Sequence, residues 1–144
     1  MDVSELRRQH RELTVIAHRL LQAVENSDVQ QSVGAIRWQL ARQLMSHLAL
    51  EDRIFYPAMH RLADERARTT AMKLQAELGA LAQDFSAYMH RWSDDRIARE
   101  WAAFCADTRD IIGKLQTRMD QEERQLYPLA ETVGQDNMPL SKAG

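Results

Sequence analysis

At 144 residues with 44% hydrophobic content, the chain is long enough to bury one real core and too short for two comfortable ones. Its net charge of -2 comes from interspersed acids and bases, so nothing points to nucleic acid or to an anionic membrane as a partner. A single cysteine, Cys105, excludes an intrachain disulfide, and neither a signal-peptide core nor a run of roughly 18 apolar residues occurs, so a soluble cytoplasmic protein is expected.

Apolar residues recur at helical spacing throughout, which predicts an all-α fold without strands. A first helix is expected from Ser4, as N-cap, to about Val24; its stripe is Val3, Leu6, His10, Leu13, Ala17, Leu20 and Val24. Asn26-Ser27-Asp28 breaks it. A second helix is expected from about Ser32 to Pro57, which ends or kinks it, with Leu40, Leu44, His47, Glu51 and Ile54 on the inner face. After the polar stretch Ala63 to Arg68, a third helix carries Leu74/Gln75, Leu78, Leu81/Ala82, Phe85, Tyr88/Met89 and Trp92. Ser93-Asp94-Asp95 reads as a stop and a new cap. The fourth helix carries Trp101, Phe104, Thr108, Ile111, Leu115, Arg118, Glu122 and Leu126, and residues 132–144 are expected as a flexible tail after a domain of residues 1–131. Four long helices with short connections imply an up-down-up-down four-helix bundle.

Two stretches at a constant offset of 71 say nearly the same thing: His47-Leu48-Ala49-Leu50-Glu51-Asp52-Arg53-Ile54-Phe55-Tyr56-Pro57 and Arg118-Met119-Asp120-Gln121-Glu122-Glu123-Arg124-Gln125-Leu126-Tyr127-Pro128. His47 and Glu51, four apart, stack on one helix face and can reach one metal ion. The second copy keeps Glu122 but has Arg118 in place of the histidine. A fainter echo relates Gln9-His10-Arg11-Glu12-Leu13 to Leu74-Gln75-Ala76-Glu77-Leu78, so the chain reads as a duplicated helix pair. His10, His47, Glu51, Arg118 and Glu122 all fall on apolar stripes, where unpaired charges are costly. They must satisfy one another or a metal. His10 lies about as far before the first turn as His47 lies after it, which levels the two in antiparallel helices.

These motifs resemble the hemerythrin-like, or HHE cation-binding, family of four-helix bundles with a non-haem di-iron site. The resemblance covers residues 4 to about 130 and rests on Leu6-x-x-x-His10-x-x-Leu13, on His47-x-x-x-Glu51-Asp52 with Phe55-Tyr56-Pro57, and on Glu122-Glu123 through Pro128. It implies that His10, His47 and Glu51 are the ligands of the first half and Glu122 the carboxylate of the second. Gln75 and Arg118 stand where the second-half histidines are expected. What survives is the set around one of two irons, and the Arg118 guanidinium is expected to replace the second metal and neutralise Glu51 and Glu122.

A mononuclear site of His10, His47, Glu51 and Glu122 suits one divalent ion, iron or zinc, with manganese also compatible. The alternative is a metal-free bundle in which Arg118 bridges the two glutamates. His18, His60 and His90 lie too far along their helices to join the layer. Asp52 and Glu123 are expected on a solvated helix face, with a supporting role behind the ligands as the alternative. Tyr56 and Tyr127 are expected to pack as ordinary aromatics, and Cys105 as a small buried hydrophobe.

The first functional reading is a metal-binding domain acting as a sensor, metal-handling or regulatory protein, with a small gas or redox ligand, rather than an oxygen carrier. The second is a metal-free scaffold for a protein partner, favoured if Trp38 or Trp101 faces outward. An enzyme at a single iron is a third, for which no dedicated acid, base or nucleophile is present.

Overall fold

A computed structural model describes residues 1–136, and every regular element among them is helical. Helix α1 spans Ser4–Ala23, and its whole expected stripe is buried. Ser4 is not its cap. It is the first helical residue, and its N–H and hydroxyl both donate to the Asp2 carboxylate, the N–H at 2.9 Å.

The second arm begins at Gly34, two residues later than Ser32. It runs as α2 (Gly34–Leu50), one π-helical turn (Glu51–Phe55) and α3 (Tyr56–His60). Pro57 therefore neither ends it nor stands in an α-helical interior. The wider turn closes with the Tyr56 N–H donating to the Glu51 carbonyl, and the proline falls in the first turn of α3, where a missing N–H costs nothing. The extra residue also shifts the register. Phe55, Tyr56 and Met59 turn inward, while Ile54, expected on the inner face, is 61% exposed.

The third arm is broken in the middle. Helix α4 (Glu65–Leu78) starts on the Asp64 side chain, which accepts from the Ala67 N–H at 2.8 Å, and α5 (Leu81–Arg91) follows a step at Gly79-Ala80. A Cβ at Gly79 would collide with the Gln75 carbonyl oxygen, so the step requires glycine. The fourth arm comprises α6 (Asp94–Arg99), capped by Ser93 as expected, α7 (Trp101–Gln121), a second π turn (Glu122–Leu126) and α8 (Tyr127–Asp136). Thr132 does not end it, because α8 continues and Val133 is buried; residues 137–144 of the expected tail lie outside the described residues.

The arms pack as an up-down-up-down bundle, with α1 against α2 and α7, and α5 against α7 and α2. Its interior holds two apolar clusters. One contains Leu13, Leu20, Leu40, Leu44, Phe85, Phe104 and Leu115; the other contains Leu6, Phe55, Met59, Ala71, Leu74, Leu126 and Ala130. The buried polar residues His10, His47, Glu51, Arg118 and Glu122 form a layer between them. Arg37, also buried, belongs to the first cluster: its guanidinium donates to the Trp92 carbonyl at 2.7 Å and lies over the Tyr88 and Phe104 rings, closing the end of α5.

Candidate metal centre

Helix α1 supplies His10, the last turn of α2 supplies His47, and each π turn opens on its glutamate, Glu51 or Glu122. One donor atom from each of these four residues lies within 4.8 Å of the other three, and all four residues are buried. His47 Nε2 is 3.0 Å from Glu51 Oε1, His10 Nε2 is 3.3 Å from Glu122 Oε1, and the two Nε2 atoms are 3.1 Å apart. Glu122 Oε1 is fully buried and has no hydrogen-bond partner. A carboxylate oxygen in that position is costly unless a cation meets it, so the group fits a metal ion.

The other oxygen of each glutamate faces away from the imidazoles and is held by the opposite half of the chain. The Tyr127 hydroxyl donates to Glu51 Oε2 at 2.6 Å and lies 3.0 Å from His10 Nε2. The Tyr56 hydroxyl donates to Glu122 Oε2 at 2.9 Å. Both tyrosines thus exceed the packing role expected of them. Burial first, and the neighbouring carboxylate charges second, raise both phenols far above their ordinary value, so they stay protonated and donate.

Arg118, on the last turn of α7, fills the remaining side of the layer. Its Nε donates to Glu122 Oε2 at 3.2 Å, and its Nη2 lies 3.4 Å from Glu51 Oε1 and 2.7 Å from Asp52 Oδ1. Its Nη1 faces the Leu78 carbonyl at 3.4 Å, where α4 stops at Gly79 and leaves that oxygen without a helical partner. The helix break and the arginine are therefore one arrangement. Asp52 belongs to the site, not to a solvated face.

The same holds for Glu123, whose carboxylate lies 3.2 Å from His10 Nδ1 and is gripped from outside by Arg7. On the other imidazole, Gln9 Oε1 lies 2.6 Å from His47 Nδ1, a contact that sequence reasoning missed although Gln9 adjoins His10. Gln75 stands apart. It is exposed, and Leu74 beside it is the buried residue, packed in the second apolar cluster. His18 and His90 are exposed and His60 half-buried, all away from the layer.

The electrostatics follow from this crowding. Burial would lower the His10 value, but the Glu122 carboxylate 3.3 Å away and the charge of Glu51 outweigh it and raise it above the ordinary value. Burial, aided by His10 and Arg118, pushes His47 down to about 4. Burial raises Glu51, opposed by Arg118; burial and the charge of Glu51 raise Glu122. One guanidinium among two buried carboxylates leaves one negative charge for a proton or a metal. Grooves of about 470 Å³ and 310 Å³ reach the layer from either side of α1, at His10 with Glu123 and at His47 with Gln9.

A family model described as the hemerythrin HHE cation binding domain matches residues 1–130. No curated relative and no solved structure matches the chain. The chain belongs to the hemerythrin HHE family.

Proposed function

We propose that this hemerythrin HHE domain holds one divalent metal ion through His10, His47, Glu51 and Glu122, and that Arg118 takes the place of a second metal. The observation that carries the reading is the buried, unpartnered Glu122 Oε1 facing two imidazole nitrogens and a second carboxylate. Two nitrogen and two oxygen donors suit iron or zinc, and manganese is compatible. Bound there, the ion would supply a Lewis-acid or, if iron, a redox centre.

The residues around it restrict what that centre does. Tyr56 and Tyr127 take one oxygen of each glutamate, and Arg118 pairs with both glutamates. The carboxylates are thereby limited to one metal. With one metal position, the protein acts as a sensor, metal-handling or regulatory module for a small gas or redox ligand, not as an oxygen carrier. A cytoplasmic location is part of the proposal, in keeping with the single buried thiol of Cys105. No helix among the described residues is long and apolar enough to cross a membrane.

A metal-free scaffold is the second reading, and one surface favours it. Trp38 is 55% exposed at a groove of about 260 Å³ with Met45, Phe85 and Met89, whereas Trp101 is buried. Elemental analysis of protein purified without chelators decides between the two. About one equivalent of iron, zinc or manganese is expected, lost in a His47→Ala, Glu51→Ala double variant; none in a folded wild-type protein would favour the scaffold.

A further inference from the structure

The two imidazoles of the centre are held from behind by different groups. His10 Nδ1 faces the Glu123 carboxylate at 3.2 Å, whereas His47 Nδ1 faces the neutral amide of Gln9 at 2.6 Å. An amide can present either an acceptor or a donor to a ring nitrogen, so its orientation decides which tautomer of His47 it supports.

That orientation is fixed one turn back along α1, toward its N-terminus. Gln9 Nε2 donates to Glu5 Oε1 at 3.2 Å, and a carboxylate at that position only accepts. Glu5 is itself held by Arg8, whose Nε donates to its other oxygen at 2.9 Å. With its amino group committed to Glu5, Gln9 has its oxygen left for His47. The proton of a neutral His47 then sits on Nδ1, and the Nε2 lone pair points to Glu51 Oε1 and His10 Nε2, the middle of the layer.

The geometry points to Gln9 as a positioning residue for the metal centre, which, anchored by Glu5, orients the His47 ring and fixes Nε2 as the donor atom. The inference rests on the metal-binding reading above. Gln9 is half-buried on the rim of the groove between α1 and α2, so replacing it removes no core packing.

Zinc affinity, measured by competition with a chromophoric chelator, tests this on the full chain in wild type, Gln9→Leu and Gln9→Glu, with thermal unfolding of the metal-free proteins alongside. Gln9→Leu keeps the bulk and removes the acceptor; a loss of roughly 10- to 100-fold in affinity is expected, with the metal-free melting temperature close to wild type. Gln9→Glu restores an acceptor, and affinity returns to the wild-type level or tighter. A cobalt-substituted Gln9→Leu protein should also show an altered visible spectrum, which a loss of packing alone would not produce. Equal affinity in wild type and Gln9→Leu, or Gln9→Glu binding as weakly as Gln9→Leu, overturns the role of Gln9 and leaves the metal site standing. A wild-type protein that takes up no zinc, iron or manganese overturns the metal reading and this inference with it.

Discussion

The two halves of the bundle share a backbone and differ in charge. In the first, a histidine, a glutamate, a π turn and Tyr-Pro follow one another from His47 to Pro57; in the second, an arginine replaces the histidine and the rest recurs from Arg118 to Pro128. Each glutamate takes a hydrogen bond from the tyrosine of the other half, Glu51 from Tyr127 and Glu122 from Tyr56. The partner helices differ more. Helix α1 turns His10 inward, whereas α4 turns Gln75 outward, buries Leu74, and ends at Gly79 so that its Leu78 carbonyl faces Arg118. A buried guanidinium at the position where the first half has an imidazole thus needs two things: a neighbouring helix that opens a carbonyl to it, and carboxylates that remain to pair with it.

Removing the arginine should break this balance most severely. Arg118→Ala leaves Glu51, Glu122 and Asp52 without their shared cation, and about 3–5 kcal/mol of stability should be lost in the metal-free protein. Chemical denaturation measures it; a loss below about 1 kcal/mol would show that the arginine does not hold the layer together.

The crossed tyrosines separate the two halves by a smaller effect. Tyr127→Phe strips Glu51 Oε2 of its donor and should cost about 1–3 kcal/mol. Tyr56→Phe should cost less, since Glu122 Oε2 keeps the Arg118 Nε–H. Equal losses would mean that Arg118 gives Glu122 no protection.

The gentlest test is pH. The folded values of His10, Glu51 and Glu122 are raised, so each contributes stability at lower pH that is lost as pH rises through its folded value. His47, lowered to about 4, has the opposite sign, losing stability as pH falls from 6.5 to about 4. Above pH 6.5 only the first trend operates. The metal-free protein should therefore weaken from pH 6.5 upward, and saturating zinc should flatten the slope. Denaturation midpoints across that range check it, and stability rising with pH would contradict the assignment.

Much of this architecture is legible in the sequence. The stripes from Val3 to Val24 and from Trp101 to Leu126 are buried as their periodicity predicts, and the i,i+4 pair His47–Glu51 marks the polar layer. The π turns are not legible, because one extra residue leaves helical spacing nearly intact; only its effect, Ile54 outside and Phe55 inside, gives it away. Gly79 carried a signal, as a glycine within a helical pattern, but not the reason for it, which lies in Arg118 on another arm. Gln9, Tyr56 and Tyr127 were hidden for a different reason. Their roles depend on the direction of a single polar atom, which residue spacing does not encode. Arg37 was missed because a buried cation held by carbonyls at one Nη and by aromatic rings has no acidic partner to announce it.

Metal titration of wild type beside Arg118→His decides whether Arg118 stands in the place of a second metal. Wild type should take up one equivalent. The variant, with an imidazole returned to the second half, should bind more metal or bind it more tightly, whereas an unchanged titration, or two equivalents in the wild type, would contradict the account.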